Sequence, residues 1–227
     1  SLVGLDGLKP CLKLIKYCKN IGIVNKESLI CGWTLIKKEL TKHKTNFVPI
    51  DSEHFSIFSL INYHRTTLIN KIYITASGGP FLNYTKSQLS YVKVKEAIKH
   101  PNWSMGKKIS IDSSTMMNKV FEIIEAKNIF NVPYKNLHIL THPRSYVHAI
   151  VEFKNGLTKI LIHEPNMKIP IHNSIYLNEK KNIKSKNLNI DILNNLQFKA
   201  VDKKKFPLVK LLNIMPTNCS LYETALI

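Results

Sequence analysis

The feature that most constrains the fold is an alternation of short apolar runs with longer segments whose apolar residues recur at helical spacing. Runs of strand type occur at residues 21–24, 46–50 and 71–77, and amphipathic segments at residues 8–22, 25–43 and 52–64. This alternation is typical of βα units that form a mainly parallel sheet covered by helices. The 227 residues suffice for one large domain or two small ones with a substantial core.

The second half of the chain changes character. A long helix is predicted over residues 113–130, followed by three strand-like runs at residues 137–142, 146–153 and 157–164, with the turn "KNG" between the last two. Three strands in close succession indicate an antiparallel extension of the sheet. We therefore predict an α/β fold with a mixed sheet. Beyond Pro165 the chain is rich in Asn and Lys, and its pattern is weak.

The formal net charge of +18 suggests an anionic partner, which could be nucleic acid or an anionic substrate. Almost all of the basic residues are Lys, spread along the whole chain, and only Arg65 and Arg144 are Arg. Proteins that recognise nucleic-acid bases and phosphates favour Arg, whose planar guanidinium group can donate two parallel hydrogen bonds. We therefore expect no nucleic-acid partner. No apolar run is long enough to span a membrane, so no membrane partner is expected either.

Four predicted strand ends carry polar clusters, at residues 25–28, 51–54, 77–79 and 112–114. Ligands of open α/β sheets gather at such junctions. Asn25, Asp51 and Ser113 are also residue types that favour helix N-caps. Capping and ligand binding therefore both remain open for each cluster.

Two of these clusters have the chemistry of a phosphate site. In "TASGGPF", Ser77 stands beside two glycines whose backbone N–H groups can approach an anion closely. Ser113 is predicted to begin the long helix, where the N–H groups and the helix dipole attract anions. Asn118 and Lys119 follow on the next turn of that helix, so Ser, Asn and Lys could hold a phosphate together.

The carboxylates suggest a cation site. Glu122 lies four residues after Asn118 and three after Lys119, on the same predicted helix face, and it interrupts an apolar run. If this face meets Asp51 and Glu53, three carboxylates surround one point, a ligand set that suits Mg²⁺ or Mn²⁺. The alternative is an ion pair between Lys119 and Glu122 within the helix.

The motifs "NKES", "VPIDSEH", "TASGGPF", "HPNWSMGKKISIDSSTMMNK" and "THPRS" together resemble the 1-deoxy-D-xylulose 5-phosphate reductoisomerase family. The likeness runs from about residue 2 to residue 170. It implies conversion of 1-deoxy-D-xylulose 5-phosphate into 2-C-methyl-D-erythritol 4-phosphate in non-mevalonate isoprenoid synthesis, with NADPH and Mg²⁺ or Mn²⁺ as cofactors. The sequences "YCKNIGIVNKESLICGW" and "EHFSIFSLINYH" are similar to those of the enzyme form found in the plastid of apicomplexan parasites.

The resemblance also implies roles for individual residues. The metal ligands correspond to Asp51, Glu53 and Glu122, and the groups that hold the phosphate to Ser77, Ser113, Asn118 and Lys119. Further substrate contacts correspond to Lys26, Ser52, His100 and Trp103, and the NADPH contacts to Asn25, Glu27, Met105 and Gly106. Trp103 and Met105 belong to a flap that closes over the substrate. His142 matches another active-site histidine. The resemblance thus implies a catalytic group made of His100, Lys119, His142 and the three carboxylates.

The domain organisation is also inferred from the resemblance. Residues 1–51 would form the end of a Rossmann-like NADPH-binding domain, residues 52–185 the metal- and substrate-binding catalytic domain, and residues 186–227 a connection toward a C-terminal helical domain. The family's Gly-rich phosphate turn and closing helical domain are expected to lie outside the 227 residues. A homodimer is expected, in the plastid, or in the cytoplasm if the source is bacterial. The alternative function is a non-catalytic relative that binds sugar phosphates or nucleic acid.

Overall fold

The computed structural model describes residues 2, 4–61, 66–103, 105–177, 179–186, 188–216 and 220–226. The α-helices are α1 (Leu8–Ile15), α2 (Lys26–His43), α3 (Ser52–Ile61), α4 (Lys86–Leu89), α5 (Val94–Ala97), α6 (Lys107–Ser114), α7 (Met117–Phe130), α8 (Lys168–Ile175), α9 (Ile190–Asn194) and α10 (Ser220–Ala225). The strands are β1 (Asn20–Ile23), β2 (Asn46–Pro49), β3 (Ile69–Ala76), β4 (Leu137–Thr141), β5 (Val147–Phe153), β6 (Thr158–Ile162) and β7 (Lys199–Ala200). Short 3-10 helices cover Gly4–Gly7, Thr66–Leu68, Tyr134–Asn136 and Pro207–Asn213. Within the described residues, no helix is both long and apolar enough to cross a membrane.

The first part of the chain forms a small parallel sheet. β1 and β2 pair in parallel, with Asn20 opposite Asn46, and α2 connects them. α1 packs against α2. Ile15 and Ile36 are fully buried between these elements, because the apolar faces of both helices turn toward the two strands.

The second part is built on a five-stranded mixed sheet in the order β6-β5-β3-β4-β7. β3 and β4 are parallel, while β5 pairs with β3 and β6 pairs with β5 in antiparallel fashion. The predicted antiparallel extension and the mixed sheet are thus confirmed. The turn at residues 154–156 joins β5 to β6, and Gly156 has a positive φ of 84°.

α3 and α7 position the functional residues. α3 packs on β5 and β6, while α7 packs on β3 and β4 and also against α2 of the first part. Ile57 and Ile123 are fully buried in the main core between these helices and the sheet. Burying one apolar face of each helix fixes the rotation of both, and this rotation decides which polar side chains face each other.

The end of the chain contributes to the same structure. β7 pairs with the outer edge of β4, the 3-10 helix Pro207–Asn213 packs on α7, and α10 packs on α2. Residues 186–227 were predicted only as a connection toward another domain. The structure shows that their described part adds a strand to the main sheet and covers α7.

Two predicted helix boundaries are corrected, and a third falls outside the described residues. The predicted helix over residues 8–22 ends at Ile15. The predicted helix over residues 52–64 is described as far as Ile61, and residues 62–64 lie outside the described residues. The predicted helix over residues 113–130 is two helices, because Met116 has a left-handed backbone (φ 64°) that separates α6 from α7. Ser113 therefore lies in the last turn of α6, and its predicted place at a helix N-terminus is wrong.

Candidate active site

One wall of the site is the junction between β2 and α3. β2 ends at Pro49 and α3 begins at Ser52, so Asp51 and Glu53 follow the carboxyl end of a strand whose last two residues are buried. The backbone carbonyl of Asp51 accepts a hydrogen bond from the N–H of Phe55 at 2.7 Å. The hydroxyl of Ser52 donates to the carboxylate of Glu53. Asp51 thus begins the helix through its backbone, which leaves its carboxylate to other partners.

The facing wall is the first half of α7. Lys119 Nζ lies 2.6 Å from Glu122 Oε2 and also contacts the Glu53 carboxylate on α3. The side-chain amide of Asn118 donates to Glu122. Glu122 is only 1% exposed. The sequence left two alternatives for Glu122: an ion pair with Lys119 within the helix, or a meeting with the carboxylates near α3. The structure shows both contacts at the same point.

Lys26, at the start of α2, closes the carboxylate cluster from the side of the small sheet. Its ammonium contacts the Asp51 carboxylate and lies 3.2 Å from Glu125 Oε2 and 3.8 Å from Glu122 Oε1. α2 carries Lys26 into this position because it packs directly on α7. The cluster therefore depends on contact between the two parts of the chain.

The carboxylates of the cluster differ in the direction of their pKa shifts. Burial raises the pKa of Glu122, and the neighbouring Glu53 carboxylate raises it further, so that it reaches about 8 despite the lysines. Burial also opposes ionisation of Asp51, but the Lys26 charge outweighs it and holds the pKa of Asp51 well below its usual range. For Lys119, the Glu122 and Glu53 carboxylates outweigh burial and raise its pKa. The cluster therefore opposes ionisation of Glu122 and favours ionisation of Asp51.

The donor set fits a divalent cation. Carboxylate oxygens of Asp51, Glu53 and Glu122 lie within 4.8 Å of one another. The buried Oδ1 of Asn118 has no hydrogen-bond partner in the protein, so the site has an unused oxygen beside these three. Oxygen ligands without sulfur suit Mg²⁺ or Mn²⁺. A second group of possible ligands, which shares Asp51 with the first, is Asp51, His54 and Glu125.

The phosphate cluster forms at the carboxyl end of β3. Gly78 and Gly79 have positive φ values of 91° and 65°. A Cβ atom on Gly79 would lie 3.0 Å from the backbone oxygen of Ser113, so only glycine lets this turn approach the end of α6 so closely. The close approach brings Ser77 and Ser113 to one cavity.

His100 orders this cluster. Its Nδ1 accepts hydrogen bonds from the backbone N–H groups of Asn102 and Trp103, at 3.2 and 3.0 Å. The other ring nitrogen, Nε2, must therefore carry the proton, and it donates to Ser77 Oγ at 3.0 Å. Burial, and then the charge of Lys119, lowers the pKa of His100 to about 4. A neutral His100 thus orients the Ser77 hydroxyl.

The segment after His100 forms the outer wall of the cavity. The side-chain amide of Asn102 donates to the Pro143 carbonyl at 2.7 Å and to Ser145 Oγ at 2.8 Å, which ties this segment to the end of β4. The Trp103 ring meets the His148 ring edge to face, with centroids 6.1 Å apart. This is the segment predicted to act as a flap.

The walls enclose a cavity of about 590 Å³, a size that suits a small-molecule ligand. All of the predicted site residues except His142 line it: Asn25, Lys26, Glu27, Asp51, Ser52, Glu53, Ser77, His100, Trp103, Met105, Gly106, Ser113, Asn118, Lys119 and Glu122. The residues predicted for metal, phosphate and cofactor thus share one cavity.

His142 is the exception. It is fully buried and is not among the residues that line the cavity. Its Nδ1 lies 3.0 Å from the Gln197 carbonyl, and its Nε2 accepts from the Tyr146 N–H at 3.1 Å. Both ring nitrogens therefore hold the backbone together. The structure does not place His142 at the reacting centre, and we assign it a structural role instead.

Two of the residues predicted to contact NADPH, Asn25 and Glu27, lie at the start of α2. The Asn25 side chain caps α2 by accepting from the Ser28 N–H at 2.7 Å, and it donates to the carbonyls of Leu2 and Gly4. The capping alternative therefore holds for Asn25, although it also lines the cavity. Glu27 lies 3.3 Å from Lys108, which joins α2 to α6.

Sequence reasoning missed two residues of the site. Glu125, 1% exposed, contacts Lys26, and its signal was its position three residues after Glu122 on the same apolar helix. His148 lines the cavity and stacks on His163 with centroids 3.9 Å apart. A histidine within the apolar run of a strand gave no comparable signal, because its cavity is formed by residues distant in sequence.

Comparison with known proteins identifies two matching family models. The "1-deoxy-D-xylulose 5-phosphate reductoisomerase C-terminal domain" matches residues 47–130. The "DXP reductoisomerase C-terminal domain" matches residues 162–226. Together they account for well over half of the chain.

The related proteins carry the same name. The 1-deoxy-D-xylulose 5-phosphate reductoisomerase of Pelagibacter ubique is 60% identical over 227 residues, which is 100% of this chain and 58% of that protein. The one from Clostridium tetani is 43% identical over 206 residues, 91% of this chain and 54% of that protein. This chain spans a little over half the length of these relatives.

Solved structures agree with the sequence relatives. The reductoisomerase from Zymomonas mobilis in complex with NADPH has a TM-score of 0.84 and 35% identity, over 93% of this chain and 54% of that chain. A DOX-P reductoisomerase in complex with NADPH, fosmidomycin and magnesium has a TM-score of 0.83 and 39% identity, over the same shares. On its sequence, its fold and these relatives, the chain belongs to the 1-deoxy-D-xylulose 5-phosphate reductoisomerase family.

Proposed function

We propose that this chain forms the metal- and sugar-phosphate-binding core of an enzyme that converts 1-deoxy-D-xylulose 5-phosphate into 2-C-methyl-D-erythritol 4-phosphate with NADPH. The observation that carries this proposal is the single cavity, in which three carboxylate oxygens lie within 4.8 Å of one another beside the serines predicted to hold a phosphate. The enzyme would act on a small sugar phosphate and would belong to non-mevalonate isoprenoid synthesis.

The residues divide into roles along the cavity. Asp51, Glu53 and Glu122 would hold Mg²⁺ or Mn²⁺, which supplies polarisation of the substrate carbonyl and stabilisation of negative charge on its oxygens. NADPH, near Asn25, Glu27, Met105 and Gly106, would supply the hydride that reduces the rearranged aldehyde.

The phosphate end would fix the substrate. Ser77, Ser113 and Asn118 offer neutral hydrogen-bond donors, and Lys119 adds a positive charge. The neutral His100 donates to Ser77 Oγ, so the Ser77 hydroxyl hydrogen is directed away from His100 and toward an acceptor in the cavity. Holding the phosphate at this end and the carbonyl at the carboxylates would orient the carbon skeleton for rearrangement.

The remaining residues would position the reacting atoms and exclude water. Lys26 and Ser52 lie at the carboxylate end, where an ammonium and a hydroxyl can donate to substrate oxygens. Trp103 would cover the substrate when the segment after His100 closes, which would exclude water from both chemical steps. These roles rest on position in the cavity and on the family resemblance.

The rival function is a non-catalytic module that binds sugar phosphates or nucleic acid through its net charge of +18. Such a module has no use for three carboxylates that lie within 4.8 Å of one another in its cavity. The test is calorimetric binding of fosmidomycin, the ligand named for the DOX-P reductoisomerase structure, with and without Mn²⁺. The enzyme core requires Mn²⁺ for this binding. Salt-sensitive binding of polyanions without any effect of Mn²⁺ would favour the module.

We also propose a homodimer. β6 is the edge strand of the main sheet, and Leu157 and Ile160 on this edge are 51% and 45% exposed. An edge strand with exposed apolar side chains is a surface that a second copy can cover by strand pairing. Analytical ultracentrifugation of the parent chain and of Ile160→Lys tests this, because a charge in that position should favour the monomer.

The source compartment stays a prediction. The relatives described above are bacterial, and a bacterial source would place the enzyme in the cytoplasm. The likeness of two motifs to the apicomplexan form predicts a plastid instead. Immunolocalisation in cells of the source organism decides between the two.

A further inference from the structure

Glu125 is a buried acid that the proposed reaction does not use. It lies on α7 one turn beyond Glu122, is 1% exposed, and does not line the cavity. It therefore has no direct access to a substrate. Its Oε2 accepts a hydrogen bond from the Lys26 ammonium at 3.2 Å.

The ammonium of Lys26 has three carboxylate neighbours. Two of them, Asp51 and Glu122, are proposed metal ligands, and Glu125 is the third. When a cation takes Asp51 and Glu122, Lys26 loses those partners. A lysine whose side chain is only 13% exposed would then be left as an unpaired buried charge, which is costly. Glu125 is the partner that remains.

The charges in the cluster agree with these roles, in which Asp51 and Glu122 bind the metal and Glu125 stays with Lys26. The carboxylates of the cluster are Asp51, Glu53, Glu122 and Glu125, and the ammonium groups that contact them are Lys26 and Lys119. With all four acids ionised, as metal binding requires of the ligands, two negative charges remain. One divalent cation neutralises them. Without Glu125, the same ion would leave the cluster with an excess positive charge.

We propose that Glu125 is a positioning residue: it keeps Lys26 at the cavity wall while Asp51 is transferred from Lys26 to the metal ion. This inference rests on the proposed function, because it assigns a metal ion to Asp51. Glu125 acts through Lys26 and touches neither substrate nor metal. The proposal predicts that loss of the Glu125 charge frees Lys26 and makes it compete with the ion for Asp51.

The test compares Glu125→Gln and Glu125→Asp with the parent chain, and uses Glu223→Gln as the matched control. Glu223 is a buried acid of α10, 2% exposed, that does not line the cavity. It pairs at 2.7 Å with Lys127 of α7, the helix that also carries Glu125. Its loss should cost similar stability without affecting Lys26. Thermal unfolding of all four proteins checks that they fold.

Two readouts are measured. The first is Mn²⁺ affinity, followed by the electron paramagnetic resonance signal of free Mn²⁺. We expect a loss of about ten- to a hundredfold for Glu125→Gln, the range for partners that orient metal ligands. The loss should be smaller for Glu125→Asp, and affinity should be unchanged for Glu223→Gln. Equal Mn²⁺ affinity in parent and folded Glu125→Gln would overturn the inference and leave the proposed function intact.

The second readout requires no metal. Acetic anhydride labels accessible lysines, and peptide mass mapping gives the labelling rate at Lys26 alone. That rate should rise several-fold in metal-free Glu125→Gln and stay at the parent value in Glu223→Gln. If the parent binds no Mn²⁺, the proposed function fails, while the labelling rate still decides whether Glu125 holds Lys26. An unchanged rate in Glu125→Gln would refute that role.

Discussion

Lys119 Nζ lies 2.6 Å from Glu122 Oε2 on the next turn of α7, and the same ammonium contacts Glu53 on α3. Lys119 thus joins two of the three proposed metal ligands. A cation that binds Glu53 and Glu122 takes both carboxylates from Lys119, which then has its charge available for the phosphate. Metal binding and phosphate binding should therefore favour each other at this lysine.

Replacing Glu122 by Gln tests the three-carboxylate site. Removing a ligand should weaken Mn²⁺ binding by more than about a hundredfold, beyond the effect of outer partners. Because burial raises the pKa of Glu122 to about 8, the metal-free chain should keep its thermal midpoint, since a neutral amide replaces a largely protonated acid. Glu152→Gln, an acid on β5 outside the cavity, is the control. Equal Mn²⁺ affinity in folded Glu122→Gln contradicts the site.

Mn²⁺ affinity should also depend on pH. Below about pH 8, Glu122 holds a proton in the metal-free chain, and the ion must displace it. Affinity should thus rise about tenfold per pH unit up to about pH 8 and level off above it. Calorimetry in two buffers of different ionisation enthalpy counts the released protons. An affinity that stays constant between pH 6 and pH 8 would show that Glu122 is already ionised.

The turn at Gly79 is expected to control the phosphate cluster. Gly79→Ala puts a Cβ atom 3.0 Å from the Ser113 backbone oxygen and imposes a left-handed conformation, which costs about 1–2 kcal/mol in an L-residue. The turn must then move away from α6, so Ser77 and Ser113 separate. We expect fosmidomycin affinity to fall more than Mn²⁺ affinity, as measured by calorimetry with each ligand.

Gly156→Ala is the matched control for this variant. Gly156 also has a positive φ, 84°, but its added Cβ would meet no atom within 4 Å. The control should lose similar stability in urea unfolding and keep both affinities. If Gly79→Ala keeps the same affinities as Gly156→Ala, the close approach of the Gly79 turn to Ser113 is unimportant for fosmidomycin binding.

The sequence predicts most of the secondary structure because helical and strand periodicities are local. The cluster of Asp51 and Glu53 is likewise local, since both follow one strand. The break between α6 and α7 could not be predicted in this way. Met116 adopts a left-handed backbone that usually favours glycine, and its side chain is 1% exposed in a core cluster, so tertiary packing overrides local preference.

The same limit applies to two further residues, Glu125 and His142. Glu125 and Glu122 share one apolar helix, and only the packing of α2 on α7 shows that Lys26 reaches Glu125. His142 has the residue type of a catalytic base, but its hydrogen bonds go to backbone atoms of Gln197 and Tyr146. The sequence gives the residue types, and their spacing shows which residues share a face of a helix or strand. The partner across the fold decides the role.

His142 gives the last prediction, in contrast with His100. His142→Ala leaves the partly buried Tyr146 N–H without its acceptor, at a cost of about 1–3 kcal/mol, and also removes the contact to the Gln197 carbonyl. Urea unfolding should show this loss, while the folded variant keeps its Mn²⁺ and fosmidomycin affinities. His100→Ala should behave in the opposite way, with weaker fosmidomycin binding because Ser77 loses its orienting partner. Full stability with lost binding in His142→Ala would return His142 to the active site.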